Sequence, residues 1–275
     1  MNGTRAMLAW SGARRAVATL LALLAAPAAC RRCSLKEIQP VEGGEFNLGS
    51  CEELRLLNAK LGDAGAKRLA AALTTNRRVK FVDLWSNGIG PEGATALARA
   101  LEGNKILEKL WLNENKVGAA GATALAAALG KKECGLQTLW LSDAEVGDVG
   151  ATAIATALNS GSRLRVLDLW NNGIGPDGAA ALARALQGNH MLLTLEMRGN
   201  RAGDEGAKAF AAMMPNSQAL STLDLMDNGM TKAGTQALLD GLKVSRANPY
   251  LLLYASGLPH EQWTSWQAKG KADAP

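Results

Sequence analysis

A unit of about 28 residues recurs eight times in phase, and no other feature restricts the fold as strongly. The unit reads apolar-x-x-apolar-x-apolar-x-x-Asn-x-apolar-Gly. One copy is Val79, Val82, Leu84, Asn87, Ile89, Gly90, and the next is Leu107, Leu110, Leu112, Asn115, Val117, Gly118. Further copies start at Leu136, Leu164, Leu192 and Leu220. An earlier copy starts at Cys51 and a truncated one is read from Asn248. The start-to-start spacings are 28, 28, 29, 28, 28, 28 and 28. A fixed period of this length means stacked units, each unable to bury its apolar face alone.

The second half of each unit carries a helical signature. Ala94, Leu97, Ala98 and Leu101 lie at i, i+3, i+4 and i+7, and the same face returns as Ala122/Leu125/Ala126/Leu129 and Ala179/Leu182/Ala183/Leu186. Alanine favours helix and lets the helix approach a strand closely. Pro91 and Pro176 stand at helix starts, where a missing N–H costs nothing. Each unit is therefore read as a short strand, a turn and a helix. The expected fold class is α/β, a solenoid with a curved parallel sheet inside and helices outside.

These units resemble leucine-rich repeats, specifically the ribonuclease-inhibitor-like type with 28- to 29-residue helical units. The resemblance covers about Cys51 to Leu258 and is specific for fold rather than function. It implies that the Asn at the ninth position bonds backbone groups of the turn. Ala59, Ala144 and Ser256 replace that Asn, so their turns are expected to be less well tied.

Side chains alternate across a strand. With the fourth and sixth positions in the core, the fifth and seventh face outward on the concave side. The fifth positions read Arg55, Asp83, Trp111, Trp140, Asp168, Glu196, Asp224, Leu252. The seventh read Leu57, Trp85, Asn113, Ser142, Trp170, Arg198, Met226, Tyr254. Four of the chain's seven Trp fall on this face, in four consecutive units. Contiguous exposed aromatics mark binding sites, and Trp is a frequent hot spot. The expected protein-binding residues are Trp85, Trp111, Trp140, Trp170, Asp83, Asp168, Glu196, Arg198, Asp224 and Met226. An acid-flanked Trp cluster suits a protein partner presenting Lys or Arg. The competing reading is that repeat duplication spread the Trp; the near-identical copies at Val79 and Leu164 illustrate it.

Two segments imitate other chemistry. Gly88-Ile89-Gly90-Pro91-Glu92-Gly93 and Gly173-Ile174-Gly175-Pro176-Asp177-Gly178 match the Gly-x-Gly-x-x-Gly dinucleotide fingerprint. Yet their second and third glycines recur in sister units lacking the first, so they belong to the repeat turn. Cys30-x-x-Cys33 has no second ligand pair, and His190 and His260 are remote. No catalytic residues, cofactor or metal are expected. In an exported chain, Cys33 and Cys51 are candidates for a disulfide stapling the N-terminal cap. Cys134 is read as a free thiol in a loop.

The net charge of +5 is placed unevenly. Residues 1 to 36 hold six basic side chains and no acid, leaving 24 basic and 25 acidic in the remainder, a net of −1. That disfavours a nucleic-acid partner for the body. The apolar stretch Ala16 to Ala29 is too short for a membrane span. With Arg14 and Arg15 before it and Ala26-Pro27-Ala28 near its end, it fits a secretory signal, with an organelle transit peptide as the alternative. A leader that does not function would leave the chain cytoplasmic. The expected organisation is a targeting leader (1–36), a repeat domain with N-terminal cap (37–258) and a C-terminal cap and tail (259–275). Trp263 and Trp266 are expected to cap the last unit. The expected function is a monomeric, non-enzymatic protein-binding module. The alternatives are a regulator resembling the Ran GTPase activator and a purely structural scaffold.

Overall fold

The computed structural model describes residues 31–38, 44, 46–245 and 251–256. The expected leader up to residue 30, the start at Asn248 and the Trp263/Trp266 cap lie outside the described residues. From Arg32 onward, the described residues form a parallel sheet of nine strands in sequence order. The strands are β1 (Arg32–Cys33), β2 (Glu53–Arg55), β3 (Phe81–Asp83), β4 (Lys109–Trp111), β5 (Thr138–Trp140), β6 (Val166–Asp168), β7 (Thr194–Glu196), β8 (Thr222–Leu225) and β9 (Leu252–Ala255). Between β2 and β9 run α1 (Gly62–Thr75), α2 (Pro91–Glu102), α3 (Gly118–Leu129), α4 (Gly147–Asn159), α5 (Pro176–Leu186), α6 (Gly203–Met213) and α7 (Lys232–Val244). Parallel neighbours require a long crossover, and each helix supplies it. Strand β1 lies inside the segment read as leader, so the sheet begins before residue 36.

Register follows the repeat. Phe81 lies opposite Lys109, Lys109 opposite Thr138, and Val166 opposite Thr194. The last pair departs from it, because Leu223 lies opposite Leu253 and Asp224 opposite Tyr254. Tyr254 therefore takes the fifth position and Ser256 the seventh, two residues away from the sequence reading. A shift of two preserves which side chains face the core, so the hydrophobic pattern could not detect it.

The core lies between sheet and helices. Fourth and sixth positions such as Leu110, Leu112, Leu139, Leu141, Leu167 and Leu169 are fully buried. They meet the helix residues Ala122, Leu125, Ile154, Ala155, Ala179 and Leu182, which are also buried.

A ladder of buried Asn side chains joins the units. Asn172 Oδ1 accepts from the N–H groups of Ala144 and Val146, and its Nδ2 donates to Leu141 O and Trp170 O. Asn87, Asn115, Asn200 and Asn228 make the same kind of bonds. Each Asn thus ties the turn of the preceding unit. The reading that Ala144 loosens its own turn is corrected: Asn172 ties that turn, and the missing acceptors fall one unit earlier, on the N–H groups of Asn115 and Val117. Ser256 is no Asn substitute either. Its Oγ accepts from Asp227 N in the turn after β8.

The glycine fingerprint has a structural cause. Asp63 Oδ1 accepts from Gly90 N and Gly93 N, and Asp148 Oδ1 accepts from Gly175 N and Gly178 N. A carboxylate of one unit caps the next helix, where the helix dipole favours negative charge. A Cβ added at Gly93 would stand 2.6 Å from Asp63 Oδ1. The N–H groups a phosphate would need are already taken.

Cys33 and Cys51 form a disulfide that joins the segments around β1 and β2. Cys134 is a free thiol, as read, but it is buried, and burial pushes its pKa up.

Candidate functional site

The face of the sheet away from the helices divides into two stretches. Across β2 to β5 it is aromatic. In register, Asp83 lies opposite Trp111 and Trp111 opposite Trp140. Parallel strands about 4.8 Å apart bring such side chains into contact. The Trp111 and Trp140 rings stack with centroids 4.1 Å apart and planes within 2°. Phe81 meets the other side of Trp111 edge-on, with centroids 4.6 Å apart. The Arg55 guanidinium sits 4.2 Å from the Phe81 ring centroid and 5.7 Å from that of Trp111. A cation and three rings thus form one row over four strands.

This row differs from the expected cluster in membership. Phe81, at the third position, and Arg55 were not among the predicted site residues. Among the described residues, no ring contact joins Trp85 or Trp170 to the row. Trp170 is 48% exposed and lies over the next turn; a Cβ at Gly199 would come 3.0 Å from its Nε1. Trp85 is half-buried beside Asn113, which is 3% exposed. The Nε1 of Trp111 and the Oδ1 of Asn113 are buried and have no partner among the described residues.

Across β6 to β8 the face is acidic. Asp168 lies opposite Glu196, and Glu196 opposite Asp224. Burial pushes the Asp168 carboxyl up; bonds from Ser142 and Trp170 pull it down, and nearby Asp143 raises it. Burial raises Glu196, and the charges of Asp224 and Asp168 raise it further. Burial raises Asp224, opposed by a bond from Met226 N and the charge of Arg198, while Asp227 adds to the rise. The three carboxylates are close, partly desolvated and mutually repelling.

The acids are not equivalent. Asp83, Asp168 and Asp224 each accept from the N–H two residues on, in Trp85 (3.1 Å), Trp170 (2.8 Å) and Met226 (2.8 Å). They close the strand into its turn, as a short Asp side chain readily does. Asp168 also accepts from Ser142 Oγ at 2.5 Å. Asp83 is 6% exposed and pairs with Arg55 at 3.9 Å. Glu196 makes no hydrogen bond or ion pair among the described residues. Arg198 is exposed and paired with Asp227 at 2.9 Å. Met226 is half-buried beside Asp224.

Among the described residues, no group of three or more His, Cys, Asp and Glu is placed to hold a metal. Among them, too, no helix is long and apolar enough to cross a membrane.

The architecture is a leucine-rich repeat solenoid. A leucine-rich repeat family model matches residues 75–98, 135–155, 163–183, 188–211 and 216–239, so such repeats run across residues 75–239. Among solved structures, the chain is similar to leiomodin-1 actin-binding site 2. That similarity has 16% identity, covers 66% of this chain and 98% of that one, and has a TM-score of 0.41. No curated protein matches the chain.

Proposed function

We propose that the chain is a non-enzymatic protein-binding module of the ribonuclease-inhibitor-like repeat type, using the concave face of its sheet. The partner presents Lys or Arg side chains to the row Asp168, Glu196 and Asp224, beside the Trp111–Trp140 stack. The observation that carries this reading is Glu196. A half-buried carboxylate between two others, without a counter-cation, is a cost that a bound cation relieves. The far face of Trp140 adjoins the acid row and offers the same cation a π surface.

The reading extends to the compartment. The Cys33–Cys51 disulfide and the basic, apolar leader both support passage through the secretory pathway, where disulfides persist.

Titration with decalysine tests the site. Binding in low salt, weakened about tenfold in Trp140→Ala, supports it. Affinity unchanged in that variant excludes Trp140 from the site.

A further inference from the structure

The near-neutral charge of the repeat body conceals a strong separation of charge between its two edges. Where helices return to strands, four consecutive loops and the first residue of β4 carry nine cations: Arg77, Arg78 and Lys80; Lys105 and, in β4, Lys109; Lys131 and Lys132; Arg163 and Arg165. All nine are exposed, and none is in an ion pair among the described residues. The same four segments, 76–80, 103–109, 130–137 and 160–165, hold two acids, Glu108 and Glu133. Their net charge is therefore +7. The opposite edge, where strands turn into helices (57–63, 85–92, 113–119, 142–149, 170–177, 198–205 and 226–232), holds ten acids and five cations, Lys60, Lys116, Arg198, Arg201 and Lys232, a net charge of −5.

Helix dipoles favour cations near helix C-termini, but they do not account for this distribution. The next two loops at the same edge, 187–193 and 214–221, contain no Lys or Arg, although each also follows the C-terminus of a helix. The basic edge is a bounded strip. Its loops are held from within: Asn76 Oδ1 accepts from Arg78 N and Val79 N, and Asn104 Oδ1 from Ile106 N and Leu107 N. Arg77 Nη1 donates to Thr74 O and Asn76 O. Successive loops follow a pitch set by strands about 4.8 Å apart in front and helices about 9 Å apart behind. Cations repeat along a line.

We propose that this edge binds a linear sulfated polysaccharide. The strip lacks what other polyanions need. Its four loops contain no aromatic side chain on which single-stranded bases could stack. It presents tied loops rather than a helix or ribbon able to enter a DNA groove. It has no large exposed apolar residue to anchor an acidic polypeptide. Four of the nine cations are Arg, whose planar fork holds an oxyanion at two points. The choice of a sulfated glycan over other polyanions rests also on the secretory reading above. Apart from Lys109, which opens β4 opposite Phe81, the strip lies outside the Trp and acid rows, and the variants below leave Lys109 in place, so either proposal can fail alone.

The test uses the full chain and size-defined heparin oligosaccharides, measured by titration across a salt series. The expected result is binding whose affinity falls steeply with salt, as counter-ions are released. The variant Lys131→Glu/Lys132→Glu/Arg163→Glu/Arg165→Glu loses at least about 100-fold in affinity. A charge-matched control on the opposite edge, Lys60→Glu/Lys116→Glu/Arg201→Glu/Lys232→Glu, stays within about twofold. The milder Arg163→Ser/Arg165→Ser loses about tenfold and serves if the fourfold variant fails to fold. Equal losses in the two fourfold variants overturn the proposal. So does competition by polyglutamate or a short DNA duplex as effective as that of heparin.

Discussion

The aromatic stretch over β2–β5 and the acidic stretch over β6–β8 share one face of the same repeat, yet they stand in opposite energetic conditions. In the first, the groups satisfy one another: Arg55 covers Phe81, Phe81 abuts Trp111 and Trp111 stacks on Trp140. In the second, like charges are held together and burial raises all three carboxyls. A solenoid tolerates both because the fourth and sixth positions build its core and leave the outward face free to vary. Trp on this face is thus partly structural, whereas the side chain with least structural use is an acid, Glu196.

The largest expected effect lies at the seam between the two stretches. Asn172→Ala removes two acceptor and two donor bonds and strands the buried N–H groups of Ala144 and Val146. It should cost about 3 kcal/mol in denaturant unfolding. A loss below about 1 kcal/mol would mean the two stretches are not joined through this ladder. Trp111→Ala comes next, at about 2 kcal/mol, because it removes two ring contacts and half-buried area. From the sequence alone, an outward-facing Trp111 would be expected to cost almost nothing. A loss near zero would therefore restore the view that the ring serves binding only.

Asp168→Ala should cost about 1 kcal/mol. The bonds from Ser142 Oγ and Trp170 N are lost, while relief of a buried charge offsets part of that loss. Glu196→Gln is the smallest effect and has the opposite sign. A carboxyl whose folded pKa is raised binds its proton more tightly folded than unfolded. Its contribution to stability is therefore greatest when protonated and declines as pH rises through the raised value. The variant should melt slightly above the parent at neutral pH, and the difference should vanish toward the acid side of that range. A variant that melts lower at neutral pH would show that Glu196 is satisfied after all.

Much of this was legible in the sequence because a strand alternates with period two and the repeat fixes its phase. That sufficed to place Trp111 beside Trp140 and Asp168 beside Glu196. Phe81 escaped because the alternation was read over the fifth and seventh positions, although the third shares their face. Its apolar character also made it resemble core. The direction of the Asn ladder was not legible, since a residue pattern does not say which neighbouring unit a side chain reaches. The shifted pairing of β9 was hidden because a slip of two residues leaves every side chain on its own face. The basic edge is hidden by arithmetic: a net charge near zero is compatible with a basic strip on one edge and a net-acidic, mixed-charge edge opposite it.

In the acid row Asp168 and Asp224 also close turns, so Glu196 is the member that holds a cationic partner while contributing nothing favourable to the fold. The direct test measures the affinity of decalysine for Glu196→Gln and for the parent chain at neutral pH, with melting temperatures from the same samples. The expected result is affinity at least about tenfold weaker and a melting temperature equal to the parent's or higher. Unchanged affinity, or weaker affinity accompanied by a clear fall in melting temperature, would contradict it.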